Sequence, residues 1–167
     1  MPRSALAAGA VADRDGRRAE QCRALALVWA GMVLGVSFLA TPAKFLAPSL
    51  PLPVALDVGR HTFRTFGRVE LALLTLLGSR AAASARQRLL ASVPGLIVLA
   101  QALWLRPRLD ARTRQVIEGG AASPRSSLHL AYVACEAAKV AALLALGMTT
   151  ARQRAGKRLA DDPEREM

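Results

Sequence analysis

The chain has 167 residues, 53% of them apolar and only 4% aromatic, with a mean hydropathy of +0.27 and a formal net charge of +11. An apolar excess at this length argues against an ordinary soluble domain and for a membrane protein. The arginines flank apolar segments and have no interleaved aromatics, glycine-rich loop or zinc-like motif beside them, so the positive charge does not describe a nucleic-acid binder and no nucleic acid is expected as a partner.

Residues 1–22 open with "SALAAGAVA", mostly alanine, followed by the charged "DRDGRR". That order lacks the apolar core of a signal peptide, and the segment is expected to be a disordered basic tail. A bilayer-spanning helix needs about 20 mostly apolar residues. The first window, Ala24 to Phe45, holds the uncharged run "ALALVWAGMVLGVSFLA" before Lys44, a long side chain placed to snorkel to the headgroups. Its Gly31-x-x-x-Gly35 is a helix-packing signature.

The second window, Val54 to Gly78, carries Asp57, Arg60, Arg64, Arg68 and Glu70, and only its last third is continuously apolar. At 100° per residue the basic side chains and His61 fall on one face, while Phe63, Phe66, Glu70, Leu73, Leu74 and Leu77 fall on the other. The amphipathic N-terminal half is expected to enter obliquely through the headgroups. The third window, Leu89 to Leu105, contains Pro94-Gly95, a kink signal, and ends at an interface marked by Trp104 and Arg106-Pro107-Arg108. A short amphipathic piece follows, closed by Gly119-Gly120; Pro124 and Ser126-Ser127 then lead into the fourth window, Leu128 to Met148.

These windows predict an all-α fold, a four-transmembrane-helix bundle over residues 23–149, with a charged cytoplasmic tail over 150–167. Four crossings place both termini on one side. Thirteen Lys and Arg residues fall on the terminal side and eight on the other, so the positive-inside tendency puts the termini in the cytoplasm of a cell (inner) membrane. Helix four offers Ala134, Ala138 and Ala142 at four-residue spacing, a second packing stripe to match Gly31 and Gly35.

The fourth window also holds the main chemical anomaly. His129, Tyr132, Glu136 and Lys139 are spaced by three, four and three, and share one stripe of the helix. A lone charge at the bilayer centre costs about 2.5 to 3.5 kcal/mol on insertion scales, so the stripe must face the interior, where Glu70 of helix two is the expected third member. Two readings stay open. Glu136 and Lys139 neutralise each other and only fix helix order, or they line a polar site that passes or senses a proton, ion or small solute.

Cys22 and Cys135 lie too far apart in role for a disulfide framework or metal quartet, and His61 and His129 lack a ligand set, so no metal or other cofactor is expected. Ser37 and Thr75 are read as lone hydroxyls bonded to their own helices; with no nucleophile-base constellation, an enzyme is not expected. The expected partners are the lipid bilayer and, beyond it, a second copy or another membrane protein.

The stretches "GVSFLATPAKFLAPSLPLPVALDVGRHTFRTFGRVELALL" and "SSLHLAYVACEAAKVAALLALG" resemble a group of uncharacterised small bacterial membrane proteins, similar in layout to the transmembrane-protein-205-like group. The resemblance rests on Phe38-x-x-x-Pro42-x-x-Phe45, on Gly59-Arg60-x-x-Phe63 and on the His129 to Lys139 stripe. It implies a four-helix integral membrane domain and no particular chemistry.

Overall fold

A computed structural model describes residues 2–80, 85–120 and 127–160, and no strand occurs among them. The helices are α1 (Pro2–Val33), α2 (Thr41–Lys44), α3 (Leu52–Arg80), α4 (Ala85–Ala100), α5 (Arg106–Ile117) and α6 (Ser127–Ala160). A π-helical segment, Leu34–Ala40, joins α1 to α2, and another, Gln101–Leu105, joins α4 to α5. The described chain therefore forms four helical rods. Three of them are long and apolar enough to cross a membrane, over Gly9–Lys44, Gln87–Ile117 and Ser127–Thr149. The fourth rod, α3, is excluded from that class by its charges rather than its length, since its 29 residues span about 44 Å.

The two π segments share a sequence cause. Each ends two residues before a proline, Pro42 and Pro107. A proline ring clashes with the carbonyl four residues earlier in a regular helix, and a widened turn just ahead of it moves that carbonyl away. The Thr41 N–H accordingly reaches back to the Val36 carbonyl, which also accepts the Thr41 hydroxyl at 2.7 Å. The helix then runs on through Arg106-Pro107 into α5, where the sequence suggested an end. Pro94 lies inside α4, fully buried.

The first 22 residues differ from the expected disordered tail. They are helical from Pro2, and Cys22 is 2% exposed within the core cluster. Alanine and arginine favour helix, Asp13 and Arg17 pair at 2.7 Å one turn apart, and Arg80 donates to Gln21 from the end of α3. At the other terminus α6 continues to Ala160, so most of the expected tail is helical; residues 161–167 lie outside the described residues, as do Pro124 and Ser126.

Helix α1 packs against α6 and α3, and α4 packs against α6 and α3. The core between them holds Ala26, Trp29, Ala30 and Val33 of α1, Phe66 and Leu77 of α3, Val98 of α4, and Leu143 and Leu146 of α6. Close approach of α1 to α6 occurs at Gly147, where a methyl group would come 2.9 Å from Leu27. Most of the expected small-residue stripes lie outside the packing within the chain. Gly31 and Gly35 face open space, Ala134 and Ala138 are exposed, and Ala142 is half-buried. Helix rotation decides this: α6 turns Glu136 and Lys139 inward, which puts residues two and one positions away on the outside.

The piece after α5 closes as the sequence suggests. Gly119 adopts φ +94°, its N–H reaches the Val116 carbonyl, and the Gly120 N–H reaches the Gln115 carbonyl at 2.9 Å. This is a Schellman stop, which requires a left-handed residue that glycine supplies without strain.

Candidate functional site

Four ionisable side chains from three helices meet in the interior. Lys139 of α6 lies 2.5 Å from Glu70 of α3 and 2.9 Å from Glu136 one turn earlier on its own helix. Arg106, at the start of α5, lies 2.5 Å from the second oxygen of Glu70. The order Arg106, Glu70, Lys139, Glu136 alternates in sign and sums to zero. Lys139 and Glu70 are 0% exposed and Glu136 is 1% exposed. Isolated charges at that depth would be prohibitive, whereas alternating neighbours at hydrogen-bond distance offset one another's desolvation.

Neutral donors complete the coordination. The Trp29 indole N–H donates to Glu70 Oε1 at 3.4 Å. The Gln101 amide donates to Glu136 Oε1 at 2.7 Å, and the Ser37 hydroxyl donates to Glu136 Oε2 at 3.0 Å. All four carboxylate oxygens therefore accept at least one hydrogen bond, and every rod contributes. Both π segments present a member, Ser37 from the first and Gln101 from the second, consistent with the frequent use of π turns to re-aim a side chain at a site.

The five residues expected at the polar site divide. The structure brings Glu70, Glu136 and Lys139 together. Tyr132, 5% exposed, stands one layer above them, its ring edge-on to Phe63 with centroids 5.2 Å apart. His129 does not join the cluster; it is exposed at the rim. Ser37 departs from its sequence reading, because it bonds to Glu136 instead of its own backbone. Thr75 keeps the expected bond, donating to the Leu71 carbonyl. His61 bonds with its own turn through the Asp57 carbonyl at 3.0 Å. Gln101 and Trp29 have no role in the sequence reading, and Arg106 reads there only as an interface marker. The only sequence signal for Arg106 is Gly67, at which a methyl group would overlap the guanidinium.

Above the cluster lie two spaces with lining residues in common. One of 440 Å³ is bordered by Ser37, Phe63, His129, Tyr132 and Glu136. The other, a cleft of 530 Å³, shares Phe63, His129 and Tyr132 with it and is walled by the basic face of α3 and by α5. Tyr132 and Phe63 thus line both the outer basic cleft and the inner space, which Glu136 borders. No cluster of His, Cys, Asp and Glu able to hold a metal occurs among the described residues. The chain matches no protein-family model, no curated protein and no solved structure.

Proposed function

We propose that the chain is a multi-pass membrane protein in which α3 is a fourth span, completing a four-helix bundle in a cell inner membrane with both termini cytoplasmic, and that its interior polar site passes or senses a small ion, the proton first. Kinship with the small bacterial membrane proteins that the sequence resembles belongs to the same proposal. Support for the fourth span comes from Glu70, since a helix whose side chain shares a buried ion cluster with α6 lies at the depth of α6. The apolar outer faces of the other rods require lipid around them.

The observation that carries the ionic reading is the inner space itself. A buried carboxylate, Glu136, borders a space that reaches the rim past Tyr132 and His129. Intramembrane acids bordering cavities are the usual stations of proton and ion paths. A second reading has its own support. The quartet is charge-neutral and every carboxylate oxygen is bonded, which suits a lock that fixes helix order and needs no solute.

Proteoliposomes containing the purified chain and an internal pH dye separate the two. Under an imposed potential, the ionic reading expects proton entry above that of protein-free vesicles, lost in Glu136→Gln. Absence of flux for protons and common ions in the unaltered chain leaves the lock.

A further inference from the structure

The outer cleft differs in chemistry from the quartet beneath it. Its walls carry Lys44, Arg60, Arg64, Arg68, Arg106 and Arg114, against a single carboxylate, Asp110. Three of the cations are compensated: Arg64 by Asp110 at 2.9 Å, Arg60 by Asp57 at 2.6 Å, and Arg106 by Glu70. Among the described residues, no carboxylate lies within ion-pair distance of Lys44, Arg68 or Arg114. Lys44 is instead held over the Phe45 ring, 5.0 Å from its centroid, with its ammonium against Gly59, where a methyl group would displace it.

A second, independent observation points the same way. The buried Nε of Arg60, the buried Nε of Arg106 and the buried hydroxyl of Tyr132 make no hydrogen bond, and all three residues border the cleft. The Tyr132 hydroxyl oxygen faces the Arg106 guanidinium, itself only a donor, so the O–H proton is left without an acceptor. Buried donors in folded proteins are normally satisfied, and three of them around one space call for a ligand rich in acceptors. The remaining walls are apolar, including Phe45, Leu56 and Leu71. Beside the cleft Arg108 stacks on the exposed Trp104, 4.2 Å from the ring centroid, an arrangement of the headgroup level.

From these we infer that the cleft is a binding site for an anionic phospholipid. Its headgroup lies along Lys44, Arg68 and Arg114, with phosphate oxygens accepting from the Arg106 Nε and the Tyr132 hydroxyl, while its chains lie along Phe45, Leu56 and Leu71. The cleft volume of 530 Å³ takes a glycerophosphate headgroup and the first methylenes. The inference does not rest on ion passage, because the headgroup site exists whether or not anything reaches Glu136.

The test is lipid titration of the full chain in detergent, read by native mass spectrometry, with phosphatidylglycerol, phosphatidylcholine and glycerol phosphate as probes. Phosphatidylglycerol is expected to bind at least about tenfold more tightly than either of the others. At about fivefold per basic residue, the combined Lys44→Gln, Arg68→Gln and Arg114→Gln chain loses about a hundredfold. Tyr132→Phe, which keeps the ring against Phe63, loses about tenfold. Arg112→Gln, on α5 with Arg114 but outside the cleft, changes affinity less than about twofold. Equal binding of the two lipids overturns the proposal. So does a loss in Arg112→Gln as large as in the triple variant, or glycerol phosphate binding as tightly as the lipid, which makes the site one for a free anion. Should the triple variant fail to fold, a photoactivatable phosphatidylglycerol on the unaltered chain decides: adducts on peptides containing Phe45 or Leu71 support the site, and adducts confined elsewhere overturn it.

Discussion

Replacing Lys139 by methionine is the sharpest test of the quartet. The ammonium is 0% exposed and bridges Glu70 at 2.5 Å and Glu136 at 2.9 Å, so its loss takes the cluster from neutral to a net charge of −1, with Arg106 the sole remaining cation. Methionine keeps most of the apolar stem, which confines the change to electrostatics and hydrogen bonding. Removing one partner of a buried pair costs about 3 to 5 kcal/mol, a large part of the total stability of about 5 to 15 kcal/mol usual for a folded domain. The double variant Glu136→Gln with Lys139→Met removes one charge of each sign. It leaves the Glu70 to Arg106 pair intact at 2.5 Å, and the new amide oxygen can still accept from Ser37 or Gln101. Its expected cost is about 1 to 2 kcal/mol, so the cycle yields a coupling of about 2 kcal/mol or more. Equilibrium unfolding of detergent-solubilised chain by sodium dodecyl sulfate measures all the required values. A double variant no more stable than Lys139→Met alone would refute the reasoning, because it would mean the two side chains do not compensate one another.

Three further outcomes are expected, two from the packing of glycines and one from the charge distribution. Gly67→Ala forces the Arg106 guanidinium off its position over α3 and is expected to destabilise by about 1 to 3 kcal/mol. Gly35→Ala, with open space around it, is expected to be neutral or stabilising by up to about 1 kcal/mol; thermal unfolding of the two variants in one detergent gives the comparison, and equal effects would contradict the packing described. Alkaline phosphatase fused after Arg158 should be inactive and fused after Ala47 active if four spans leave the termini in the cytoplasm; activity at Arg158 would reverse or reduce the number of crossings.

Much of the architecture was legible because it depends on patterns local to a segment. Apolar runs long enough for a bilayer mark α1, α4 and α6, and the six charges of α3 explain why that rod stands apart. The periodicity of His129, Tyr132, Glu136 and Lys139 identified one polar stripe, since residue spacing alone fixes angular position on a helix. The physical cost of unpaired charge in hydrocarbon turned that stripe inward and nominated Glu70 as its neighbour. The Gly119-Gly120 stop was likewise local, a matter of one residue able to take φ +94°.

Other parts were decided only by the helices packing together. Small residues at Gly31, Gly35, Ala134 and Ala138 read as contact surfaces, yet α1 turns Trp29 and α6 turns Lys139 to the interior, and a helix has one rotation to spend on all its residues. Ser37 and Gln101 are unremarkable in sequence and become ligands of Glu136 because a widened turn, set two residues ahead of a proline, aims each of them inward. Arg106 reads as an interface arginine, and only the gap left by Gly67 on the facing helix lets it reach Glu70. Charge and periodicity in the sequence thus determine which residues cannot face lipid, while the partner each one finds depends on the rotation and spacing of helices far apart in the chain.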